Sequence, residues 1–175
     1  SDLVKARGEE ALIPVAEILH TWHDPDARKA AAERWAQEES PQAVDHLIRA
    51  LLSPPIKVKH EHRRIPSWTT EHNEFRVVAA RALGKHQAAA ALEPLIRMLG
   101  DKEPTDVRSA SIRALGDLGD AGAMEPLTAL VGNRESCVIV SPAITALGKL
   151  AAAGQTVEDA LVEALTQSNA DTRRE

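Results

Sequence analysis

Tyrosine is absent from this chain of 175 residues, phenylalanine occurs once and tryptophan three times. A core with so little aromatic bulk must be filled by aliphatic side chains, and alanine takes up the difference within a hydrophobic fraction of 43%. Alanine is the strongest helix former because it loses no side-chain entropy, and small residues let helices approach closely. The expected architecture is helix on helix. Cys137 is the single cysteine, which excludes an internal disulfide and favours a reducing compartment, so a cytoplasmic location is expected. No apolar run approaches the roughly 18 residues of a membrane span and no signal-peptide pattern is present, so no membrane partner is expected. A basic excess is missing too. The net charge of −5 disfavours nucleic-acid binding through a broad cationic face.

What is present is repetition. Ala82-Leu83-Gly84, Ala114-Leu115-Gly116 and Ala146-Leu147-Gly148 recur every 32 residues. Ala91-Leu92-Glu93-Pro94-Leu95 and Ala123-Met124-Glu125-Pro126-Leu127 keep the same interval, as do Ala11-Leu12-Ile13-Pro14-Val15 and Ala43-Val44-Asp45-His46-Leu47. From His46 to Pro94 the interval is 48, one period plus an insertion of 16 residues. Each period holds two helical patterns. The first places Leu92, Leu95, Ile96 and Leu99 at helical spacing, with proline in the first turn, where a missing N–H costs little. The second runs through Val107, Ala110, Ala114, Leu115 and Leu118 and closes on Gly119. Each helix is apolar on more than one side, so a lone pair cannot bury its surface and an array can.

The second helices open on acid-x-Arg: Asp26-Ala27-Arg28, Glu74-Phe75-Arg76, Asp106-Val107-Arg108 and Asp171-Thr172-Arg173. These arginines form either a row of binding residues or a charge ladder between repeats, and a ladder is the expectation, because repeating charges usually serve the repeat. In the fourth repeat Val138 and Val140 replace the acid and the arginine, and Pro142 follows. That second helix is expected to begin late, with Ser141 as N-cap, or to kink; Cys137 is expected to be a buried structural thiol.

Pro-Leu-x-x-(Leu/Met)-Leu, then Asp-x-Val-Arg, then Ala-Leu-Gly-x-(Leu/Ile)-Gly resembles the short HEAT-like repeat named after phycobilisome bilin lyases. The resemblance covers nearly the whole chain and is clearest over residues 90–150. It implies an all-α, right-handed α-α superhelix, a HEAT-like solenoid of about four to five antiparallel helix pairs. The second helices would line the concave face, most often as a protein-binding scaffold. The half-patterns at residues 3–8 and 171–175 lead us to expect a segment of a longer array within the single repeat domain 1–175.

The insertion, residues 54–73, is where the pattern is loosest. It carries Lys57, Lys59, Arg63 and Arg64 against Glu61 and Glu71, three of the seven histidines, and Trp68. Ile56, Val58, His60 and His62 alternate with charged residues at strand-like period two. His60, His62 and His72 could be read as a metal site, but their spacing matches no known signature and a basic loop is the expected reading; no cofactor is expected. Trp35 stands where Leu83 and Leu115 stand and is expected in the core.

Nothing here marks a catalytic centre. The expected function is a non-catalytic scaffold for a protein partner, using Trp68, Arg63, Arg64, Lys57 and Lys59 of the insertion and Arg81 and Arg113 of the second-helix face. The alternatives are a regulatory or substrate-holding repeat domain of an enzyme, similar to the bilin lyase subunits, and, more weakly, nucleic-acid binding through the insertion.

Overall fold

The structure, a computed structural model, describes residues 15, 17–20, 24–54, 56–59, 69–132 and 136–154. The expected half-repeats at residues 3–8 and 171–175 lie outside these residues. The chain divides into two compact units, Ser1–Ala79 and Ala80–Glu175. The fold is all-α apart from one small hairpin. Helices α1 (Pro25–Trp35), α2 (Pro41–Leu52), α3 (Glu74–Lys85), α4 (Leu92–Arg97), α5 (Thr105–Leu118), α6 (Met124–Gly132) and α7 (Cys137–Ala152) follow in order. Strands β1 (Ile56–Lys59) and β2 (Thr69–His72) interrupt them in the insertion. In repeat terms α2, α4 and α6 are first helices, and α1, α3, α5 and α7 are second helices. None of the helices in the described residues is long and apolar enough to cross a membrane.

The repeat proline shapes the first helices. Pro94 and Pro126 have no N–H to give the carbonyl four residues earlier, so α4 and α6 are each preceded by a 3-10 turn, at Ala89–Ala91 and Ala121–Ala123. In α2 the proline is replaced by His46, and the helix is continuous from Pro41, capped by the Ser40 hydroxyl, which accepts from the Ala43 N–H at 3.2 Å.

Arg28, Arg76 and Arg108 of the acid-x-Arg motif do not form an exposed binding row. Arg28, Arg76 and Arg108 are buried, and each Nε donates to a main-chain carbonyl at the end of the preceding first helix: Leu19 at 2.7 Å, Leu51 at 2.9 Å and Leu99 at 3.0 Å. Those carbonyls are among the groups a helix C-terminus leaves without an internal partner. The arginine thus ties the start of a second helix to the end of its own first helix. The sequence separations are 9, 25 and 9, so the second repeat keeps the tie across its 16 extra residues. Arg28 also lies over the ring of Phe75, 3.8 Å from its centroid, linking α1 to α3 within the first unit.

In the second unit α5 packs on α7, α7 on α6 and α4 on α5. The Ala-Leu-Gly motif sets how closely the second helices approach. A Cβ built on Gly84 would lie 2.6 Å from the Ala114 Cα, and one on Gly116 would lie 2.7 Å from the Ala146 Cα. Side chains such as Leu83, Leu115 and Leu147 fill the core beside these contacts. Helix α5 ends as expected on Gly119, in the left-handed region at φ 73°. One period earlier Gln87 takes the same conformation at φ 49°, where a side chain is strained. Gln87→Gly is therefore expected to stabilise the protein by about 0.5–1 kcal/mol, read as a raised denaturation midpoint.

In the fourth repeat helix α7 begins at Cys137 and holds Pro142 inside it, so of the two expected readings the late start with Ser141 as N-cap does not occur. Cys137 is exposed, not buried, because the early start puts it at the first helical position, on the surface. The expected core role of Trp35 holds: it is 4% exposed.

Candidate interaction surface

The second helices of the second unit carry the most open apolar surface among the described residues. Val138 and Ile144 of α7 are 55% and 53% exposed. Helices α5 and α7 enclose a groove of about 600 Å³. Its α5 wall is Ser109, Arg113 and Asp117, spaced four apart and hence on one helix face. Its α7 wall is Cys137, Val138, Ser141, Pro142, Thr145 and Lys149. At one end Lys149 forms an ion pair with Asp117 across one full period of 32 residues. That pair is the link between repeats that the sequence suggested for the arginines, carried by other residues. Thr145 turns its hydroxyl onto its own helix, donating to the Ser141 carbonyl at 3.0 Å.

Arg113, named from sequence, lies in the middle of this groove, exposed and with no hydrogen bond or ion pair among the described residues. Arg81 is its equivalent one repeat earlier and is likewise exposed and unpaired among the described residues. Val138, Ser109 and Thr145 were not expected from sequence to belong to an interaction surface. The signal was present, since Val138 breaks the acid-x-Arg rule, but an apolar break reads as core until the helix start is known.

The strand-like alternation in the insertion corresponds to an antiparallel hairpin, with Lys57 opposite Glu71 and Lys59 opposite Thr69. Trp68, Arg63, Arg64, His60 and His62 lie outside the described residues. His72 is half-buried, its Nδ1 3.6 Å from Glu74 Oε2, and the described residues contain no group of three side chains suited to a metal. The base of the hairpin is fixed by Arg76, which reaches Leu51 on one side and the Asn73 side-chain oxygen, at 3.3 Å, on the other.

A second polar cluster lies in the first unit. His20 Nε2 and His46 Nδ1 are 2.9 Å apart, and Trp35 packs on His46 with ring centroids separated by 4.4 Å. One ring must donate and the other accept, so a second proton between them is opposed. Burial, helped by His46, Arg49 and Arg28, pushes His20 down to about 4. Burial and Arg49 lower His46 as well, against a small opposing effect of Asp45. Both shifts favour the neutral rings. The His20 contribution to stability is present above about pH 6.5 and is lost as pH falls through about 4. The His20 ring resonance is expected to titrate near pH 4, and the thermal midpoint to fall with pH between 6.5 and 4. A titration near 6.5 would contradict this packing.

Residues 68–148 match the family model for HEAT repeats. No curated protein matches the chain. The matched stretch contains α3 to α6 and most of α7, so the paired helices and the proline-marked first helices lie in a region similar to HEAT repeats. Repeats of this kind generally mediate protein interactions and are typically non-enzymatic.

Proposed function

We propose that this chain is a non-catalytic protein-interaction scaffold that meets its partner on the second-helix face and on the basic insertion. The observation that carries the reading is the contrast between two sets of arginines. Arg28, Arg76 and Arg108 are spent on carbonyls inside the repeat, whereas Arg81 and Arg113 are exposed and unpaired among the described residues, Arg113 beside the exposed Val138. Lys57, Lys59, Arg63, Arg64 and Trp68 would add to this from a loop whose base Arg76 anchors, which lowers the ordering cost of binding. Tryptophan and arginine are also the residue types enriched at interface hot spots. The test is affinity capture from the native extract with the whole chain, the Arg81→Glu/Arg113→Glu double variant and a deletion of residues 56–70. Partners held by the native chain and lost with both variants support the reading. An identical captured set from all three, each shown to be folded, overturns it.

A further inference from the structure

We propose that the α5–α7 groove receives an extended segment of a partner protein in which an acidic side chain stands beside an aliphatic one. The carboxylate would meet Arg113, and the aliphatic group would meet Val138 and Pro142. This rests on the scaffold reading and narrows it to one place and one chemistry.

Charge complementarity is the first argument. Asp117 lies one helical turn beyond Arg113, at the spacing of a helical ion pair, but it is engaged by Lys149 instead. Among the described residues no other acid lines the groove, so Arg113 is its uncompensated charge there. A guanidinium flanked by apolar surface attracts a carboxylate more strongly than one in open water, and its planar fork suits two parallel hydrogen bonds.

The second argument is the break in the repeat. Where Asp26, Glu74 and Asp106 stand in earlier repeats, this groove has Val138, 55% exposed. An acid at that position would repel an incoming carboxylate; valine removes the repulsion and supplies an apolar contact. The substitution that costs the repeat its first-turn acid is the one that makes the groove receptive. The size fits: about 600 Å³, open along one side, admits a few side chains of a segment laid across it, but does not enclose a helix some 10–12 Å wide. Ser109 and Ser141 place hydroxyls where the main chain of such a segment would run.

The test begins with a display library of random heptapeptides selected on the whole chain; the selected peptides are then synthesised with both ends blocked. Selected peptides are expected to carry Asp or Glu beside Leu, Ile or Val, and to lose at least tenfold in affinity when the acid is changed to its amide. Arg113→Gln and Val138→Asp should each weaken binding at least tenfold, while Arg97→Gln, at an exposed arginine of α4 outside the groove, leaves it unchanged. Val138→Asp is informative because it restores the first-turn acid of the other repeats, so the variant keeps its fold while losing the ligand. Cys137, the one thiol of the chain, lines the groove, and bound peptide should slow its alkylation by iodoacetamide several-fold. Peptides that bind Arg113→Gln and Val138→Asp as tightly as the native chain overturn the proposal. If the same peptides are lost with Arg81→Gln or with deletion of residues 56–70, the scaffold reading stands and the groove assignment falls. Binding only by peptides with a free C-terminus overturns the side-chain form of the proposal. Selection of no peptide at all counts against both readings.

Discussion

Arg108→Met is expected to destabilise the second unit by about 2–4 kcal/mol, the loss of a charge-assisted hydrogen bond together with the orphaning of a buried carbonyl. The side chain is 7% exposed and its Nε donates to the Leu99 carbonyl at 3.0 Å. Methionine keeps most of the apolar stem, so the change reports on the guanidinium and not on packing. Arg108→Lys should recover little of the loss, because a lysine cannot present a donor from the middle of its chain. The ion pair to Asp101 should matter far less: the distance is 3.4 Å and the Asp101 side chain is 90% exposed, so Asp101→Asn is expected to cost under about 0.5 kcal/mol. Urea denaturation of the three variants measures the series. Equal losses from Arg108→Met and Asp101→Asn would show that the ion pair, not the carbonyl tie, is the stabilising contact.

Gly116→Ala and Gly148→Ala are expected to act in opposite directions, although they occupy the same position in successive repeats. Alanine is worth about 1 kcal/mol over glycine within a helix, and Gly148 has nothing among the described residues within 4 Å of an added Cβ, so that change should stabilise by about 0.5–1 kcal/mol. At Gly116 the added carbon would lie 2.7 Å from the Ala146 Cα and 2.8 Å from its Cβ. A main-chain atom cannot turn away as a long side chain can, so α5 and α7 must separate. Overpacking of this kind typically costs about 1–3 kcal/mol, occasionally more, and should outweigh the helix-propensity gain. Thermal unfolding of the two variants checks the sign of each. Stabilisation by both would mean that the helices are not held together at Gly116.

Much of the fold could be read from the sequence because periodicity survives translation into structure. The spacing of 32 gave the paired helices, Gly119 gave a helix end, and the place of Trp35 in the Leu83 register gave its burial. The role of the acid-x-Arg arginines could not be read the same way. Their partner is a backbone carbonyl, which every residue possesses, so no residue type marks it. Only the constant step from the end of one helix to the arginine of the next, 9 residues or 25 with the insertion, would have shown it. Pro142 left a late helix start and an interior proline both open, for a different reason. Proline disfavours a helix interior on local grounds, but α7 starts at Cys137 and packs on both α5 and α6, and tertiary burial outweighs the lost hydrogen bond. Of the candidate surface, Arg81 and Arg113 followed from their register off the apolar stripe, whereas the groove beside Arg113 depends on where α7 begins.

The carbonyl tie also makes the repeat a socket. A hydrogen bond from Arg76 to Leu51 holds its geometry whatever length of chain lies between them, and lengthening that span from 9 to 25 residues raises the closure entropy by only about 0.9 kcal/mol. The junction between a first helix and its second helix can therefore carry a longer connection while the tie is kept. In this chain the second repeat carries such a connection in the form of a hairpin. The third has the same fitting vacant between Leu99 and Arg108, ready to display a second appendage from the same scaffold.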